Sequence, residues 1–150
     1  YHNSWKGDLA KSGGVATNIG VHFFDMLSYL FGPVKENLVH CLKEDKAGGY
    51  LELERARVRW MLSLDYENIP TEIKAQGQRT YRSITINGEE IEFSGGFTDL
   101  HTVSYQGVLN GEGFRLEEAR NSINTVYQIR NATPLGLRGS YHPLLINTNC

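Results

Sequence analysis

The sequence predicts an α+β domain: a mixed, largely antiparallel sheet with helices on one face. Three observations predict it. Apolar residues recur at helical spacing near the start, runs of period-two alternation fill the middle, and the last third returns to helical spacing. With 150 residues the chain is long enough for one domain with a sizeable core. It carries no repeat, no low-complexity stretch and no internal boundary.

Residues 1–17 read as an irregular, glycine-containing lead-in. A helix is expected from Asn18 to Phe31, closed by Gly32 as its C-terminal cap and by Pro33, which cannot continue it. Val34, Leu38, Val39 and Leu42 mark a weaker strand over 34–43. The clearest strand alternates Val58, Trp60, Leu62 and Leu64 with Arg57, Arg59, Met61, Ser63 and Asp65, so one face meets a core. The segment Tyr50–Glu54 is its natural partner. Asn87-Gly88 lies between two alternating runs, the pattern of a type I′ hairpin whose two turn residues need positive φ. Thr98 can cap a helix running to about Asn110, ended by Gly111 and Gly113. A last helix begins near Leu116, with Leu116, Ala119, Ile123, Val126 and Tyr127 on one face and Glu117 and Glu118 in the first turn, where the helix dipole favours them. It ends before Pro134. The tail Gly136–Cys150 shows no periodicity.

Composition narrows the function. A net charge of −2 gives no basic face for nucleic acid. No apolar run is long enough to span a membrane, and no basic-then-apolar leader is present. Cys41 and Cys150 stand far apart without metal-ligand spacing, which suggests a reducing, cytoplasmic setting and no disulfide framework. The chain opens without an initiator Met, inside Tyr1-His2-Asn3-Ser4-Trp5, and reads as part of a longer protein.

The chemistry concentrates in Lys11-Ser12-Gly13-Gly14-Val15-Ala16-Thr17-Asn18-Ile19-Gly20-Val21-His22-Phe23-Phe24-Asp25. At 3.6 residues per turn Asn18, His22, Asp25 and Tyr29 share one face, and Ile19, Phe23, Leu27, Leu30 and Phe31 share the other. An amide, an imidazole, a carboxylate and a phenol look like a site wall rather than the usual solvated stripe. Histidine is the side chain most easily set to move protons near neutral pH. The bland alternative is a half-buried His22 bonded to Asp25.

Gly13-Gly14 does not match a dinucleotide fingerprint or a phosphate-binding loop, so these glycines let the backbone pass close to a ligand or a neighbouring segment. A hydrolase built on Ser12, His22 and Asp25 lacks a nucleophile elbow. A metal site from His22 and Asp25 with His2 or His101 lacks a recognised ligand spacing, so no metal is expected. Arg57, Arg59, Arg79 and Arg82 suit an anion across a sheet face, although Glu52 and Glu54 can balance them. The start of the Phe97–Thr102 helix can hold an anion or be capped by Thr98 or Asp99.

Taken together, the runs W-K-G-D, K-S-G-G-V-A-T-N-I-G-V-H-F-F-D, E-E-I-E-F-S-G-G-F-T-D-L-H-T-V-S-Y and A-R-N-S-I-N-T-V-Y-Q-I-R resemble the C-terminal substrate domain of the glucose–fructose oxidoreductase / inositol dehydrogenase (Gfo/Idh/MocA) family, from about Trp5 to Ala132. Within it the wording is nearest to bacterial UDP-N-acetylglucosaminuronate 3-dehydrogenases of surface-polysaccharide synthesis. The resemblance implies that residues 1–150 form a single C-terminal substrate and oligomerisation domain. An N-terminal Rossmann domain, absent from this chain, would bind NAD. It implies His22 as the catalytic residue and a nucleotide-sugar substrate near Asn18, Lys6, Lys11, Thr17, Asp25 and His101. It implies a homo-oligomer formed through the sheet. Many members carry Asp where this chain has Asn18, and an amide can orient a hydroxyl but cannot take its proton. The competing reading is a non-catalytic sugar-binding or oligomerisation module of the same fold.

Overall fold

A computed structural model of the chain describes residues 4–95 and 99–150. In chain order they form α1 (Leu9–Ser12), α2 (Val21–Phe31), β1 (Val34–Leu42), β2 (Lys46–Leu53), β3 (Arg57–Ser63), α3 (Thr71–Ala75), β4 (Ser83–Ile86), β5 (Glu89–Glu92), α4 (Leu100–Leu109) and α5 (Leu116–Arg130). Where the sequence shows no internal boundary, the structure divides into two compact units. The first takes the chain up to Asp65 together with Glu117–Cys150, and the second is Tyr66–Leu116.

The first unit is built on the antiparallel sheet β1-β2-β3. Leu51 lies opposite Val58, Gly49 opposite Trp60 and Ala47 opposite Leu62. Side chains alternate along a strand, so these residues share one face with Asn37 and Val39 of β1. Helix α2 packs on that face. Phe24 and Trp60 meet in a T-shaped contact, with ring centroids 5.1 Å apart. A Cβ on Gly20 would lie only 2.8 Å from Leu62, so glycine there lets the helix sit close to β3. Helix α5 joins the same face, where Asn37 Nδ2 donates to the Thr125 carbonyl and to Gln128 Oε1, both at 3.3 Å. The expected helices on one sheet face are therefore present, and the pairings among the described residues are antiparallel.

The structure corrects several expectations. The helix expected from Asn18 begins at Val21, preceded by a wider π-turn over Ala16–Gly20. Its buried residues are Phe24 and Leu27, while Leu30 is exposed. Phe23 and Phe24 are equally apolar, and the room beside Gly20 is what selects Phe24. On α5 the buried residues are Ser122, Thr125, Val126 and Ile129, and the expected inner residues Leu116, Ala119, Ile123 and Tyr127 are exposed. Ser122 and Thr125 return their hydroxyls to the carbonyls of Ala119 and Asn121, at 2.9 and 2.8 Å. Small and internally satisfied, they can be buried where bulkier residues would hold the helix off the sheet.

The aperiodic tail lies over part of the opposite face. Leu135 and Gly136 donate their N–H groups to Val39 and His40 carbonyls, at 2.9 and 3.1 Å. Leu145 is fully buried over Gly48, where a Cβ would come within 2.8 Å of its methyls. The expectation of unpaired cysteines is overturned: Cys41 and Cys150 form a disulfide with a Cα–Cα distance of 5.4 Å. Spacing along the sequence could not show it, because the tail folds back along β1.

In the second unit β4 and β5 form the expected hairpin, with Asn87 and Gly88 at φ of 52° and 89°. Helix α4 ends in Asn110 and Gly111 as expected. Thr98, expected to cap it, lies outside the described residues; Asp99 occupies the N-cap.

The disulfide and a histidine of the tail each give a measurable outcome. The disulfide closes a loop across a separation of 109 residues. Reduction is expected to lower stability by about 2–5 kcal/mol; two free thiols in the unreduced, denatured protein would contradict the pairing. His142 Nδ1 accepts from Leu144 N at 3.3 Å, and burial, with Arg59 adding to it, holds its pKa below the usual histidine value. The fold therefore favours the neutral ring. That stabilisation is present above the unfolded pKa of about 6.5 and is lost as pH falls through the depressed folded value. His142→Asn is expected to flatten the acid side of the melting-temperature profile, and an unchanged profile would contradict this.

Candidate functional site

The site is built from Ser4 to Tyr29. Asp8 caps α1 by accepting from Ala10 N and Lys11 N, at 3.0 and 3.3 Å, and pairs with Lys11 Nζ at 3.2 Å. The helix stops after one turn because Gly13 turns left-handed at φ 73°, with Gly14 next at φ 82°. Ser12 Oγ accepts from Gly14 N at 3.0 Å and fixes the reversal. The chain then enters the π-turn with Val15 and Ala16 buried. Such turns often mark functional sites, because the extra residue re-aims the side chains of the helix beyond it.

The π-turn separates the predicted stripe into two parts. Thr17 Oγ1 donates to the Gly13 carbonyl at 2.8 Å, and Asn18 Nδ2 donates to the Ser12 carbonyl at 3.3 Å. Both are half-buried and fold back onto the glycine loop. His22, Asp25 and Tyr29 stand on α2 as one exposed face, opposite Phe24 and Leu27. No described hydrogen bond or ion pair engages His22 or Asp25, so the bland reading of a half-buried histidine bonded to Asp25 does not describe this structure. An exposed imidazole with both nitrogens free can approach a ligand.

Lys6, Lys11, Thr17, Asn18, His22 and Asp25 thus lie on one continuous segment of the first unit. His101 lies on α4 in the second unit and is exposed. His2 lies outside the described residues. Arg57 and Arg59 point to the sheet face opposite α2, since they alternate with Trp60, while Arg79 and Arg82 belong to the second unit. Among the described residues no three His, Cys, Asp or Glu side chains gather as a metal site would need. Sequence reasoning missed Arg130. A Cβ on Gly13 would lie 3.1 Å from its Cζ and 2.6 Å from Thr17 Oγ1, so the guanidinium lies against the glycine loop. The signal was slight: a basic residue in the last turn of a helix far along the chain.

Residues 1–131 match the family model described as the oxidoreductase family (Gfo/Idh/MocA), C-terminal alpha/beta domain. The chain belongs to this family. Two solved structures are similar to it over nearly its whole length, both of the WlbA (WbpB) dehydrogenase from Thermus thermophilus. One, in complex with NAD and alpha-ketoglutarate, is 51% identical with a TM-score of 0.91. The other, in complex with NAD and UDP-GlcNAcA, is 49% identical with a TM-score of 0.90. Each alignment covers 97% of this chain and 47% of that one, so the chain spans about half the length of these Gfo/Idh/MocA relatives.

The glycine loop gives its own prediction. Gly13→Ala meets both a left-handed backbone and the crowding by Thr17 and Arg130, so it is expected to cost about 1–3 kcal/mol. Gly77, at φ 77° with nothing within 4 Å of an added Cβ, carries only the backbone penalty. Urea unfolding that ranks Gly77→Ala as the more damaging change would contradict the crowding.

Proposed function

We propose that this chain is the substrate-binding and catalytic part of a longer NAD-dependent dehydrogenase that oxidises the 3-hydroxyl of UDP-N-acetylglucosaminuronate, and that an N-terminal Rossmann domain completes it. The observation that carries this reading is His22: exposed, unengaged, and at the position where the family resemblance implies the catalytic histidine. The similarity to a dehydrogenase bound to NAD and UDP-GlcNAcA supports the substrate class.

The described residues do not fit the dinucleotide. Gly13-Gly14 joins helix to helix rather than strand to helix, and Gly14 N is already given to Ser12 Oγ. What they fit is the substrate side. Oxidising a secondary alcohol requires the hydroxyl to lose its proton. A neutral imidazole within hydrogen-bond reach accepts it, and Asp25, one turn further on the same exposed face, stabilises the imidazolium that forms. Asn18 has its carbonyl oxygen free to receive a sugar hydroxyl while its amide holds Ser12. Lys6 offers charge to an acidic ligand and Thr17 a polar contact, whereas Lys11 is paired with Asp8 and His101 lies in the second unit and is given no place in this site. Assembly of the whole enzyme as a homo-oligomer through the sheet, and a role in surface-polysaccharide synthesis, belong to the same proposal; the Cys41–Cys150 disulfide removes the unpaired-cysteine argument for a cytoplasmic setting.

His22→Asn in the full-length enzyme tests it. A general base acts in the transition state, so kcat is expected to fall by about 10²–10⁴-fold with little change in KM. Asn18→Ala is expected to act mainly on KM. Normal turnover per folded molecule in the His22 variant would overturn the assignment and favour the non-catalytic module.

A further inference from the structure

We propose that Arg130 holds the acidic group of the substrate against the Gly13–Gly14 loop and thereby sets the preference of this site for anionic ligands. The inference rests on the dehydrogenase reading and adds the residue that selects the substrate. Four observations carry it. First, the guanidinium lies on the loop, with Cζ and Nη1 each 3.1 Å from where a Gly13 Cβ would be. Second, Thr17 Oγ1 reaches the same spot, at 2.6 Å. Arginine, hydroxyl and the side-chain-free backbone of Gly13 therefore converge at the start of the segment that carries Asn18 and His22. Third, Arg130 has no hydrogen-bonding or ion-pairing partner among the described residues. Lys11, on the same loop, is already matched by Asp8. Fourth, Arg57 and Arg59 face away on the other side of the sheet.

An arginine in the last turn of a helix gains from the helix dipole wherever it points, so the dipole does not explain why this one lies on a glycine. A planar guanidinium with free donors matches a carboxylate or a phosphate through paired N–H···O bonds. Glycine at position 13 leaves room for the guanidinium beside the backbone, since a Cβ there would lie 3.1 Å from its Cζ and Nη1. The shared chemistry is an oxyanion, either the uronate carboxylate or the diphosphate.

The test uses the full-length enzyme with NAD and compares wild type with Arg130→Gln. Loss of a charge-assisted hydrogen-bonding partner is expected to raise KM for UDP-N-acetylglucosaminuronate about 10- to 100-fold while kcat changes little. Binding of UDP-N-acetylglucosamine, which lacks the carboxylate, separates the sources. If that affinity is unchanged by the substitution the carboxylate is the group held, and if it falls equally the diphosphate is. Should the variant fold poorly, protection of Arg130 in the wild-type enzyme from phenylglyoxal, mapped by mass spectrometry with and without UDP-N-acetylglucosaminuronate, gives the same decision. An unchanged KM in a folded variant, or unprotected Arg130 in the saturated enzyme, overturns the proposal. A wild-type enzyme that does not oxidise this substrate would instead overturn the dehydrogenase reading.

Discussion

Helix α2 is held on the sheet by the T-shaped contact of Phe24 with Trp60, and the presentation of His22 depends on it. Phe24 is buried on the side of the helix turned to β3. His22 and Asp25 are two residues before it and one after it, so fixing Phe24 inward fixes them outward. Gly20 makes the contact possible by removing the one Cβ that would strike both Leu62 and the Phe24 ring. Truncating a buried phenylalanine of this kind to alanine costs about 3–5 kcal/mol, a large share of the net stability of a small domain. The orientation of the histidine is thus set by core packing and needs no polar tether.

The rest of the first unit braces that arrangement from both sides. On the face of α2, α5 is pinned to β1 through Asn37, and its last residue, Arg130, arrives at the glycine loop. On the other face the tail lies against β1, buries Leu145 in the space left by Gly48 and closes with the Cys41–Cys150 bond. The sheet thus carries two helices on one face and the tail over part of the other, where Arg57 and Arg59 stay exposed. Glycines at 20, 48 and 49 are where neighbours come closest to it; at Gly49 the Leu38 carbonyl and the Trp60 ring leave no room for a side chain.

Much of this was legible in the sequence because it is local. The alternation around Trp60, the Asn87-Gly88 turn and the Gly32-Pro33 stop are short-range signals with direct steric causes, and each corresponds to an element found. His22 and Asp25 share an exposed face for the same reason. The parts that were not legible are set by tertiary contacts. Ser122 and Thr125 look polar, yet they satisfy their hydroxyls on their own helix and so displace Ile123 and Tyr127 from the interior. The π-turn changes the register between Asn18 and His22 with no marker in residue type. The disulfide and the place of Arg130 depend on where distant segments return, which no spacing rule carries.

The role proposed for His22 requires its exposed imidazole to meet the hydroxyl that is oxidised. A crystal structure of the full-length enzyme with NAD and UDP-N-acetylglucosaminuronate measures this directly. A ring nitrogen of His22 is expected about 2.6–3.2 Å from the oxygen on C3 of the sugar, or joined to it through one water. A sugar bound with that oxygen facing another residue, and His22 left in solvent, would contradict it.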